Sequence, residues 1–190
     1  MRILALDLAR RMGFAIGEAG DIPRAGAKLL ASKEEPPAAG AQELGRFIRD
    51  MIVLDKPDVV VVEHWLHPSA QRSGDVVLWQ LHLHGALHGV LGCWHGIRFE
   101  QVAPATVRKH FCGAASAAPR RGRERTAREQ RADRAATKDM VIDRAVMLGY
   151  LPKTRRDDDI ADACALWDWA AHTIARSTPQ RLVMFGEAAQ

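Results

Sequence analysis

The two most apolar stretches of this chain each carry a single acid, and that combination limits the folds open to it. One is Ile3-Leu4-Ala5-Leu6-Asp7-Leu8, and the other is Val59-Val60-Val61-Val62-Glu63. A strand with one wet face alternates apolar and polar residues. An unbroken β-branched run implies instead a central strand covered on both faces. A carboxylate in such a strand is expensive to desolvate unless something pairs it, and a divalent cation is the usual answer.

Around these two runs, further elements are expected. Strands over residues 2–8 and 13–17 are joined by a tight turn at Arg10-Arg11-Met12-Gly13, and a third strand covers Ala25–Ala31. Pro36-Pro37 interrupts regular structure before a helix over Ala39–Leu54, where Leu44, Phe47, Ile48 and Met51 recur at helical spacing. The strand Asp58–Glu63 precedes a long helix from about Gly74 to Trp94, a strand over Ile97–Val102 and a short helix opened by Pro104 and ending near His110. Lys138–Leu148 and Ile160–Ile174 are amphipathic helices. A strand meander followed by alternating strands and helices implies an α/β fold: a mixed five-stranded sheet with helices on both faces.

A length of 190 residues suits one domain, expected over residues 1–177, with 178–190 as a loosely attached tail. No stretch approaches the roughly 20 apolar residues that cross a bilayer, and the chain opens on a strand-like segment without a signal peptide. Cys93, Cys112 and Cys164 are far apart and in no metal-binding spacing, which suggests a reducing, cytoplasmic setting.

Charge is unevenly spread. From Thr106 to Lys138, ten basic residues face three acids, a net +7, which leaves −3 for the rest of a chain whose total is +4. Within this stretch, 114–136 is rich in Arg and Ala and lacks an apolar stripe, so a mobile loop or a marginal, solvated helix is expected. One acidic cluster beside one basic segment is what a metal-dependent enzyme acting on a polyanion needs.

Asp159 and Asp162 supply the other half of the acidic cluster. Three residues apart on a helix, they lie on one face and can address the same ion. Asp157 and Asp158, just before them, suit a helix N-terminus as capping residues.

Taken in order, these segments resemble the RuvC-like Holliday junction resolvases of the ribonuclease-H-like superfamily. The matching pieces are Ile3–Asp7 with Gly13–Gly17, Val59–Glu63, Gln101–Lys109, Lys138–Val141 and Asp159–Leu166. The resemblance implies a ribonuclease-H-like fold and structure-selective endodeoxyribonuclease activity that resolves four-way DNA junctions by symmetric nicking. Asp7, Glu63, Asp159 and Asp162 would hold two Mg²⁺ ions, with Mn²⁺ able to substitute. One ion would activate water, and the other would stabilise the leaving 3′ oxygen. Lys138 would join the catalytic set, and Arg108 and Lys109 would contact DNA.

Two departures from the family bear on substrate choice. Leu8-Ala9 replaces the usual Pro-Gly after the first aspartate, and the short connection before Lys138 is expanded into the Arg-rich segment. Phage-type members are often broader in the branched DNA they cut. Arg120, Arg121, Arg123 and Arg125 are assigned to the DNA backbone, so binding should weaken with salt. Trp65 and Leu66 are assigned to stacking on, or inserting beside, an opened base, with core or dimer packing as the alternative.

The helix at 74–94 carries Val76, Val77, Leu78, Trp79, Leu83, Leu87 and Leu91, more apolar surface than one face requires. A homodimer would cover the excess and place two sites on opposite strands of a junction. His84 and His88 are spaced i, i+4 but lack the Glu of a zinc-protease motif and any third ligand, so ordinary helix histidines are expected. No motif identifies a translocase partner. Three competing functions share some of these features: a related nuclease acting on RNA or on flap DNA, an actin-like nucleotide-binding fold, and a non-catalytic junction-binding protein. The actin-like option lacks its loop glycine and its second lobe, and the last option leaves Asp7 and Glu63 unexplained.

Overall fold

The computed structural model describes residues 1–65, 74–117 and 126–177. Five strands, β1 (Arg2–Asp7), β2 (Arg11–Glu18), β3 (Arg24–Leu29), β4 (Val59–Glu63) and β5 (Arg98–Val102), form one sheet in the order β3-β2-β1-β4-β5. β2 is antiparallel to β1 and β3, whereas β4 runs parallel to both β1 and β5. Five helices complete the described fold: α1 (Pro37–Asp55), α2 (Gly74–Leu91), α3 (Pro104–Cys112), α4 (Ala127–Met147) and α5 (Asp158–Ser177).

The two-residue period of a strand explains why its apolar runs are unbroken. Ile3 and Ala5 of β1, with Val59 and Val61 of β4, join the core beneath α3, α4 and α5. Leu4 and Leu6, with Val60 and Val62, point the other way into the core built with α1 and α2. The mixed five-stranded sheet and two helical layers expected from the sequence are therefore present. Among the described residues, no helix is long and apolar enough to cross a membrane.

Several boundaries differ from expectation. Arg11, Met12 and Gly13 are not part of a turn. They belong to β2, where Gly13 pairs directly with Asp7, so the connection shrinks to Leu8–Arg10. The long helix stops at Leu91 rather than Trp94. Pro104 opens α3 as expected, and the helix closes on Gly113 at φ 76°, a left-handed conformation that glycine adopts without strain.

The largest difference lies in the Arg-rich segment. The helix expected from Lys138 begins at Ala127, so of the loop or solvated helix expected over 114–136, residues 127–136 are the solvated helix and form the first turns of α4. Tertiary burial does not explain this start, since most of these side chains are exposed. Local chemistry does: Thr126 accepts from the Glu129 amide, and the Glu129 side chain accepts from the Thr126 amide in a reciprocal capping box.

Candidate active site

β1 and β4 are parallel neighbours, and Leu6 pairs with Val62. Asp7 and Glu63 therefore project side by side from the carboxyl ends of adjacent strands, the edge of an α/β sheet where ligands characteristically bind. α5 lies across this edge. A Cβ built on Gly13 would fall 1.8 Å from the Asp159 carbonyl oxygen, so the first turn of α5 rests on the backbone of β2 opposite Asp7. That contact brings Asp159 and Asp162, one helical turn apart, over the strand ends.

The electrostatics divide six acids into two groups. Asp157 is held below the usual carboxylate range by hydrogen bonds from Arg11, one of them 3.0 Å to Oδ1, and Asp158 is held down by the Lys138 ammonium. Asp157 also caps α5, accepting from the Ile160 amide at 3.3 Å, in the role expected of it. Asp158 is occupied instead by Lys138.

The other four are pushed upward. Asp7 stands well above its ordinary value because of desolvation and then the charges of Asp162, Glu63, Asp159 and Asp158. Desolvation, reinforced by Asp162, raises Glu63 to about 7, with Arg108 opposing. Asp162 rises to about 6, again chiefly by desolvation. Desolvation also raises Asp159, although Arg11 pairs with it. Thus Asp7, Glu63, Asp159 and Asp162 share one field that is short of positive charge.

A cleft of about 420 Å³ opens beside them. Glu63 and Asp162 line it together with Arg108, Arg134 and Lys138 and with Gln130, Asp133 and Thr137 of α4. Thr137 is buried and knits this lining together: its hydroxyl donates to the Asp133 carbonyl at 2.8 Å and accepts from the Ala117 amide at 3.2 Å. Carboxylates that repel one another in this way are relieved by a hard divalent cation, whereas the acidic triplet whose oxygens lie within 4.8 Å of one another, among the described residues, is Asp157, Asp158 and Asp159.

Arg108 and Lys138 line the cleft with Glu63 and Asp162. Lys109 lies exposed in the last turn of α3 and does not line the cleft. Trp65 is half-buried two residues past Glu63, also outside the cleft lining. Leu66, Arg120, Arg121, Arg123 and Arg125 lie outside the described residues. His84 is a buried helix histidine: burial lowers it to about 4, and Gln80 lies 3.1 Å from its Nε2. The sequence reading missed Arg11, Gly13 and Arg134. Arg134 was overlooked as a cleft residue although the Thr126-x-x-Glu129 pattern signals the helix start that places it.

At the level of sequence, no protein-family model and no curated protein matches this chain. Solved structures do. The structure is similar to T. thermophilus RuvC in complex with Holliday junction substrate, at TM-score 0.64 and 15% identity, covering 94% of this chain and 98% of that one. This chain has the RuvC fold. A second Thermus thermophilus RuvC structure aligns at TM-score 0.57 and 14% identity, covering 93% and 97% of the two chains. The yeast mitochondrial Holliday junction resolvase Ydc2 aligns at TM-score 0.51 and 12% identity, over 90% of this chain and 78% of that one. RuvC covers nearly the whole chain, so the likeness is one of the α/β fold as a whole.

Proposed function

We propose that this chain is a divalent-metal-dependent endodeoxyribonuclease that resolves four-way DNA junctions by paired, symmetric nicks. What supports this reading is the charge coupling of Asp7 with Asp162, Glu63 and Asp159, beside a cleft lined by Arg108 and Lys138, within a RuvC fold. The four carboxylates would hold two Mg²⁺ ions, which supply an activated water and charge neutralisation at the phosphate. Arg108 and Lys138 supply fixed positive charge in the same cleft, suited to the non-bridging phosphate oxygens. Arg11 anchors the N-terminus of α5 through Asp157 and Asp159, which holds the acids in place without contacting the cleft.

Symmetric nicking requires two copies. On α2, Leu83 and Leu87 are buried in the core, whereas Val76, Leu78 and Leu81 stay 51%, 45% and 49% exposed. Leu78 and Leu81, three residues apart on the side of α2 away from Leu83 and Leu87, suit a two-fold partner, and sedimentation of the purified protein is expected to give twice the chain mass. The decisive assay incubates the protein with labelled four-way junction, flap and linear duplex, with Mg²⁺ and with EDTA. Paired nicks at symmetric positions of the junction, absent in EDTA, are expected. Cleavage of the flap or duplex at equal rate would reject junction selectivity, and cleavage in EDTA would reject metal dependence.

Proton linkage gives a second check. Glu63 at about 7 and Asp162 at about 6 exceed their ordinary values of 4.5 and 3.8, so the metal-free folded chain holds protons that the unfolded chain releases. Stability without metal therefore falls as pH rises from about 4.5 to 7, by on the order of 3 kcal/mol for Glu63 alone. Mg²⁺ removes that loss, so its stabilising effect is expected to be small near pH 5 and to grow toward about pH 8. Thermal melts in EDTA and in Mg²⁺ across this range measure both trends. A metal-free melting temperature that is flat or rising between about pH 5 and 7 would contradict the crowded-acid picture.

A further inference from the structure

Farther along α5, a second group of metal-ligating side chains gathers outside the acidic cleft. Asp168 lies six residues beyond Asp162, about 9 Å along the helix axis. Its carboxylate is buried, with the residue 6% exposed. His110 from α3 places Nε2 3.0 Å from Asp168 Oδ2, and His172, one turn on along α5, places Nδ1 3.5 Å from the same oxygen. One ligand atom from each of the three residues lies within 4.8 Å of the others. The Asp157–Asp158–Asp159 group is equally tight, but Arg11 and Lys138 already balance it.

The geometry points to a transition-metal site, selective for Zn²⁺, formed by His110, Asp168 and His172. Ligands bonded at about 2.0–2.2 Å to one zinc or comparable ion stand roughly 3.0–3.5 Å apart when adjacent, the range of the two histidine–carboxylate separations. Two imidazoles and one carboxylate suit zinc, whereas Mg²⁺ prefers the all-oxygen set at the other end of α5. The carboxylate is already oriented, because the Tyr150 hydroxyl donates to Asp168 Oδ1 at 2.7 Å, leaving Oδ2 toward the histidines. A hydrogen-bonded outer residue of this kind fixes ligand direction in metal sites. Burial and the Asp168 contact push the Tyr150 phenol upward, so it stays a donor. On binding, His172 gives up its 2.9 Å contact with the Asp168 carbonyl and turns Nδ1 to the ion. The two histidines are half-exposed, which leaves a path for the ion and room for water as a fourth ligand.

Such an ion clamps α3 to α5. Arg108 lies two residues before His110 on α3, and Asp162 lies on α5, so the clamp ties together two helices that line the cleft. The site is independent of the nuclease reading and is tested separately from it. Chelator-stripped full-length protein in excess Mg²⁺ is titrated with ZnCl₂ by calorimetry, and with CoCl₂ by visible absorption. One zinc per chain is expected, with a rise in melting temperature and a cobalt spectrum lacking a thiolate band. His110→Ala and His172→Ala should each weaken zinc binding more than about 100-fold, and Tyr150→Phe about 10-fold or more. Asp7→Asn should leave zinc affinity unchanged. No bound zinc, wild-type affinity in His172→Ala, loss of binding in Asp7→Asn, or a thiolate band would each overturn the proposal. If a histidine variant fails to fold, judged by circular dichroism, the cobalt spectrum of the unaltered protein decides.

Discussion

Asp7→Asn is expected to abolish junction cleavage while making the metal-free protein more stable. Asparagine keeps the shape of aspartate but not its charge, so the variant loses a metal ligand at the centre of the acidic group. Metal-borne charge stabilisation at a phosphate amounts to several kcal/mol, and about 4 kcal/mol corresponds to a roughly thousandfold slower reaction. The stability gain has the opposite origin. Asp7 is raised by desolvation and by four neighbouring acids, so neutralising it removes repulsion in the absence of metal. A gain of about 1 kcal/mol would lift the melting temperature roughly 2–4 °C for a chain of this size. Junction affinity should change less than about threefold, since no basic contact is altered. Gel-shift, cleavage and melting measurements on the same preparation test all three. Undiminished nicking would sink the assignment of Asp7, and a lowered metal-free melting temperature would sink the account of its environment.

The parts of this fold that the sequence revealed are those governed by short-range pattern. The runs Ile3–Leu6 and Val59–Val62 could only be central strands. Asp7 and Glu63 marked themselves by interrupting apolar segments, and Asp159 and Asp162 by helical spacing. Arg108 and Lys138 gained meaning only through resemblance, because an exposed cation has no local signature. The start of α4 was hidden for a different reason. Residues 127–136 have no apolar face, so periodicity says nothing, and the helix is set by the Thr126–Glu129 capping box. Arg11 was illegible because its partners, Asp157 and Asp159, are nearly the whole chain away. Gly13 was quoted as part of a motif, but the reason for glycine there exists only once α5 is laid on β2.

That contact makes Gly13→Ala the most informative structural variant. Gly13 has no unusual φ, so a side chain is excluded by space alone. Its Cβ would meet the Asp159 carbonyl oxygen at 1.8 Å and carbon at 2.5 Å, with the Ala163 methyl at 3.3 Å. These are mostly backbone atoms, so rotamer changes cannot relieve the clash, and α5 must slide or β2 must bend. Overpacking of this kind costs roughly 1–3 kcal/mol. The cost to activity should be larger, because a shift of about 1 Å in reacting groups can slow an enzyme about a hundredfold. Asp159 and Asp162 ride on the displaced helix while Asp7 and Glu63 stay with the sheet. Lost stability and lost geometry can be separated with Gly45→Ala on α1, where the added methyl meets only Val90 at an ordinary 3.6 Å. Alanine in a helix interior is worth about 0.5–1 kcal/mol over glycine, so Gly45→Ala should offset part of the stability deficit. In the double variant, melting temperature should recover toward that of the unaltered protein while cleavage stays about a hundredfold slow. Recovery of both together would mean that Gly13 matters only for folding, and that the seating of α5 on β2 does not set the positions of the acids.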